Sequence, residues 1–140
     1  MLTVTIERTV DIAAPTDRVW QVISDVRGWP EWTESVDAVD FDDPPLRVGS
    51  RVKIKQPRLP PAVWTVTELT PGRSFTWDAR GPGFTTTASH ELTETPTGTR
   101  ARLSIDQRGL TAPLMRLVGD RLTARYVQME ADGLKRRSEA

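Results

Sequence analysis

APLMRLVGDRLTARYVQMEADGLKRR, residues 112 to 137, is the stretch that decides the fold. Wound at about 3.6 residues per turn, it gathers Leu114, Met115, Val118, Gly119, Leu122, Tyr126, Met129 and Gly133 into one broad arc, interrupted chiefly by Arg125. Such an arc needs a partner. Thr111 is placed to act as N-cap and Pro113 suits the first turn, while Lys135, Arg136 and Arg137 bring positive charge to the negative end of the helix dipole. A glycine inside a helix costs up to about 1 kcal/mol relative to alanine, so Gly119 and Gly133 must return something in packing or in space. The face is therefore expected either to approach another element closely or to line a hollow.

Working outward, 140 residues suit a single domain, 1–140, with enough chain to bury a sizeable core. The 19 basic and 19 acidic residues cancel, so no global field favours nucleic acid, an anionic membrane or an acidic substrate, and any such preference must be local. The absence of cysteine removes disulfides, thiolate metal sites and cysteine nucleophiles, and a single histidine argues against a zinc site. Neither a GxSxG elbow nor a Walker loop nor a dinucleotide fingerprint occurs, so no organic cofactor is expected. The opening MLTVTIERTVDIAAP lacks a basic segment followed by an apolar run, and no stretch approaches the roughly 18 apolar residues of a membrane span, which makes the cytoplasm the expected compartment. Five tryptophans against one tyrosine supply large flat side chains for a core or for gripping a ring-bearing guest.

Residues 3 to 12 alternate, with Val4, Ile6, Val10 and Ile12 in one phase, which predicts a strand with one buried face. Pro15, Thr16 and Asp17 read as a first helical turn, and that helix runs to about Ser24, where Asp25 ends it. Gly28 and Pro30 then leave Trp29 and Trp32 on one short helical turn. Beyond Val36 the period returns to two, giving six strands at about 36–41, 50–57, 62–70, 74–80, 84–94 and 99–108, separated by Pro and Gly turns. Short turns favour an antiparallel meander, because parallel neighbours need a long crossover.

The strand phases also point polar residues inward. Gln56 shares a face with Val52 and Ile54, His90 with Ala88 and Leu92, and Gln107 with Leu103 and Ile105. A buried polar group without a partner costs about 1–3 kcal/mol, so these residues imply internal hydrogen bonds or an interior that holds water or a guest. His90 is of the type suited to proton transfer near neutral pH, or is a core histidine bonded to a neighbouring strand. Tyr126 is placed to donate to a carbonyl that develops charge, or to satisfy its hydroxyl locally. Arg51, Lys53, Lys55 and Arg58 read as a solvated outer face, since Asp37, Asp40, Asp42 and Asp43 precede them and offset their charge; no nucleic-acid partner is expected.

Order and spacing together resemble the helix-grip architecture of the START-like (Bet v 1-like, SRPBCC) superfamily. The stretch DIAAPTDRVWQVISDVRGWPEW, residues 11–32, is similar to the opening of its polyketide cyclase and dehydrase group. VGSRVKIKQPRLPPAVWTVTELTPGRSFTW, GTRARLSI and MEADGLKRR carry the likeness through the rest of the chain. The resemblance implies an α+β fold: a seven-stranded antiparallel sheet curved around a long C-terminal helix, with two short helices between strands 1 and 2. It further implies a cavity for a hydrophobic small molecule of polyketide, lipid or aromatic type. On that reading Trp29 and Trp32 lie near the mouth, and Gln56, Trp64, Phe75, Trp77, His90, Gln107, Leu122, Tyr126 and Met129 line or approach the interior. Three roles follow from the resemblance: a cyclase, aromatase or dehydrase, with His90 and Tyr126 as its catalytic side chains; a noncatalytic carrier of lipids or quinones; or an interaction protein resembling the ribosome-associated toxin branch. A monomer or homodimer is expected.

Overall fold

Alternation of inward apolar and outward polar side chains builds most of the molecule as strands, described here for residues 4–140 in a computed structural model. β1 (Val4–Ile12) leads into α1 (Thr16–Ser24) and a short 3-10 helix (Val26–Glu31). β2 (Ala38–Asp40), β3 (Arg51–Lys55), β4 (Ala62–Thr70), β5 (Ser74–Gly81), β6 (Phe84–Thr95) and β7 (Gly98–Arg108) follow, and α2 (Ala112–Glu139) closes the chain. The seven strands form one antiparallel sheet in the order β1-β7-β6-β5-β4-β3-β2, so the meander of β2 to β7 is completed by β1 on the far edge of β7. This is the α+β helix-grip arrangement that the sequence predicts. Thr3, expected in the first strand, lies outside the described residues. The strand expected at 36–41 shortens to three residues because Val36 is drawn into a turn by its amide's hydrogen bond to the Thr33 carbonyl.

The core lies between the concave face of the sheet and the helices. Val52, Ile54, Val66, Phe75, Trp77, Leu103 and Ile12 point inward from the strands, and Val19, Ile23 and Val26 meet them from the α1 side. Asp40 falls opposite Lys53 in the β2–β3 register, as the charge pattern on the outer face requires.

Helix α2 departs from the expected arc in an instructive way. Its C-terminal half buries Val127, Ala131, Leu134 and Ser138, spaced i, i+4, i+7 and i+11, a stripe displaced around the helix from the predicted one. Leu114 and Val118, expected inside, are exposed; neither belongs to the packed core, and of the two only Val118 borders the cavity described below. Thr111 gives no side-chain cap; its hydroxyl donates instead to the Pro82 carbonyl at 2.7 Å and fixes the β5–β6 turn. The two glycines realise the two expected uses separately. A Cβ on Gly133 would lie 2.1 Å from the Trp32 carbonyl oxygen, so Gly133 permits the close approach of the 3-10 segment, whereas a Cβ on Gly119 would meet nothing within 4 Å.

Candidate functional site

Between the sheet and the first half of α2 lies a cavity of about 950 Å³. Its sheet wall carries Trp64, Trp77, Ala88, His90, Leu103 and Gln107, and its helix wall carries Met115, Gly119, Leu122, Tyr126 and Glu130. Trp29 enters from the 3-10 helix, and Leu59, Pro60 and Pro61 of the β3–β4 loop stand at the rim. A shallower depression of about 480 Å³ at Ala13–Asp17 and Glu94–Gly98 lies on the outside and contains no comparable aromatic wall.

Of the residues singled out from sequence, Trp29, Gln56, Trp64, Trp77, His90, Gln107, Leu122 and Tyr126 border this space. Trp32, Phe75 and Met129 do not. Trp32, expected near the mouth, is buried beneath Gly133 with its ring 5.5 Å from that of Trp29, and so fills the corner under α2. Phe75 is fully buried behind His90, with the two rings stacked at 4.1 Å. Met129 is half-buried and does not border the cavity; it lies about 60° around α2 from Tyr126, on the side away from the packed stripe of Val127, Ala131 and Leu134. Trp29 lies deep as well, its indole N–H donating to the Ile23 carbonyl at 3.0 Å.

The inward polar side chains divide into satisfied and unsatisfied groups. Gln56 Nε2 donates to the Ser35 carbonyl at 3.2 Å, and Gln107 Nε2 approaches the Thr86 hydroxyl at 3.5 Å. The Tyr126 hydroxyl donates to the Pro57 carbonyl, so its proton anchors the β3–β4 loop and is not free to stabilise an oxyanion. His90 behaves differently. Its Nδ1 sits 3.1 Å from the Phe75 carbonyl oxygen, which can only accept, and this fixes the hydrogen on Nδ1. Nε2 is thereby aimed at Glu130 Oε1, 3.4 Å away.

Glu130 was missed in reading the sequence. Its Oε1 is buried and has no hydrogen-bond partner, a costly state for a carboxylate oxygen. His90 Nε2 and Glu130 Oε1 thus face each other across 3.4 Å, within reach of a single shared proton. The signal was present in the spacing: Leu122, Tyr126, Glu130 and Leu134 recur every fourth residue, and an acid in such a run faces inward. Arg51, Asp78 and Arg80 also border the cavity, but they stand in the outward phase of β3 and β5, and Asp78 accepts from Thr87 at 2.7 Å.

A curved antiparallel sheet closed by a terminal helix over an internal aromatic cavity defines the helix-grip, START-like class of proteins. The chain belongs to the polyketide cyclase / dehydrase and lipid transport family, whose profile matches residues 3–139. Solved structures share the fold at low identity. The Zhui aromatase/cyclase from Streptomyces sp. R1128 superposes with a TM-score of 0.81 at 18% identity, covering 99% of this chain and 94% of that one. The di-domain ARO/CYC StfQ from the steffimycin biosynthetic pathway gives 0.79 at 15% identity, with 99% of this chain matched to 51% of that one. Ara h 8.0201 gives 0.75 at 10% identity over 98% of both chains. Among curated proteins, no relative matches this sequence.

Proposed function

We propose that the protein binds a hydrophobic, ring-forming small molecule of polyketide type in this cavity and moves protons on it through His90 and Glu130. The observation that carries the reading is the buried Glu130 oxygen without a hydrogen-bond partner, facing His90 Nε2 at the wall of an otherwise largely apolar chamber. Membership of a cyclase and dehydrase family, and fold neighbours whose names include aromatase/cyclase, support it.

The chemistry balances with one couple. As base, it takes an α-proton from a poly-ketone; the enolate carbon bonds to a second carbonyl carbon, and the proton returns to the new alkoxide. In dehydration it removes the remaining α-proton, the C–O bond breaks, and the leaving hydroxyl accepts that proton to depart as water. The tryptophan wall holds the chain folded so that these carbons meet. Tyr126 serves as a positioning residue through its bond to Pro57.

Incubation of a poly-keto test compound with wild type, His90→Gln and Glu130→Gln proteins tests this. Cyclic dehydrated product is expected from wild type, with rates about 100-fold lower in either variant and the double variant no slower than the singles. Tryptophan fluorescence should show affinity changed by less than about threefold in the single variants, since the apolar walls stay intact. Full turnover in both variants would remove the couple from the mechanism, and binding without any turnover by wild type would leave a carrier.

A further inference from the structure

The outer face of the first two turns of α2 is bare. Leu114 is 55% exposed, Leu117 84% and Val118 78%, and Leu110, in the turn that precedes the helix, is 95% exposed. Single exposed leucines are ordinary on a protein surface, but four large apolar residues within 110–118 make a patch. Leu114, Leu117 and Val118 fall on one side of the helix, and Arg121 and Arg125 continue that side over the next turns. Both arginines are exposed, and neither takes part in an ion pair among the described residues.

The patch adjoins the mouth of the cavity. Val118 belongs to both, and Leu59 stands on the opposite lip. Arg58, next to Leu59, is exposed and without an ion-pair partner among the described residues; the hydrogen bond from Tyr126 to the Pro57 carbonyl brings this loop alongside α2.

We infer that this face docks on the surface of an anionic lipid bilayer, with Leu110, Leu114 and Leu117 entering the acyl boundary and Arg58, Arg121 and Arg125 at the level of the phosphates. An apolar stripe continued by unpaired arginines matches an interfacial helix, whose long cationic side chains reach the headgroups while the leucines sink below them. A second copy of the chain is a poorer occupant, because a two-fold contact across this face would crowd the same arginines against their equivalents. Because acids and bases balance over the whole chain, the attraction is confined to this face. Docking turns the lip of the cavity toward the bilayer, so a sparingly soluble guest passes between them without crossing water. This inference holds whether or not the cavity is catalytic.

Flotation of the full chain with phosphatidylcholine vesicles, with and without phosphatidylglycerol, tests it. Wild type is expected to partition at least about tenfold more strongly onto the anionic vesicles, and salt should release it. Leu114→Ser with Leu117→Ser, two positions that do not border the cavity, should lower partitioning about tenfold or more. Arg121→Gln with Arg125→Gln should abolish the preference for anionic lipid while leaving cavity-probe fluorescence unchanged, which serves as the folding control. Absence of flotation at low salt, or unchanged partitioning of the leucine variant, overturns the inference. So does a dimer in size-exclusion chromatography that the leucine variant splits, or capture of an acidic protein without any vesicle binding.

Discussion

Gly119 and Gly133 share one helix and meet opposite surroundings, which makes them a sharp test of packing at single residues. Gly119 has open space where a Cβ would go, so Gly119→Ala removes backbone entropy from the unfolded chain without a clash and should raise stability by about 0.5–1 kcal/mol. Gly133→Ala forces a methyl group against the Trp32 carbonyl and should lower it by about 1–3 kcal/mol. Urea denaturation midpoints compare the two, and equal effects would deny the difference in environment. At this scale much of the site was legible. Strand alternation aimed Gln56, His90, Gln107, Trp64 and Trp77 toward the interior, and they border the cavity. What alternation does not convey is depth along the inward direction: Phe75 shares the phase of Trp77, yet it is covered by His90 and reaches no free space.

Among the elements, α2 is fastened at its far end by Glu139. Its carboxylate accepts from the Ala13 amide at 2.8 Å and from Lys135 Nζ, which ties the last turn to the corner between β1 and α1. The Lys135 hydrogen bond, and then the Ala13 amide, hold the Glu139 carboxyl below its ordinary value. A carboxyl with a lowered folded-state pKa contributes stability that is fully present above its unfolded value and is lost as pH falls through the folded one. Thermal midpoints of wild type and Glu139→Gln should therefore differ most at neutral pH and converge as pH drops below about 4, the usual carboxylate range. A gap that widened on acidification would refute the sign. The helix itself was readable from its period, and Met115, Gly119, Leu122 and Tyr126 of the expected arc do face the cavity, but the stripe packed against the core was not readable. Val127, Ala131 and Leu134 face the core because β1 and α1 lie there, and a hydrophobic wheel contains no information about neighbours.

Taken as a whole, the molecule keeps a cavity of about 950 Å³ beside a well-packed core, and a guest that enters it stabilises the folded state by mass action. At a hundred times its dissociation constant a guest adds about 2.7 kcal/mol, so the thermal midpoint should rise with the concentration of a neutral naphthol-type probe. The inward charged groups are confined to the His90–Glu130 couple, so a naphthoate of the same ring should shift the midpoint less; the reverse order would place an unpaired cation inside. Sequence by itself determined the antiparallel meander of β2 to β7 and the terminal helix, because periods of two and of 3.6 residues and the turn residues between them are local properties of the chain. Only the tertiary structure decided that α2 bends its apolar residues to two different duties, that the Tyr126 proton is spent on Pro57, and that Glu130 faces His90, 40 residues earlier in the chain. Those facts depend on how the β3–β4 loop, β5, β6 and α2 pack across the interior, and no local spacing encodes a distance between segments so far apart in sequence.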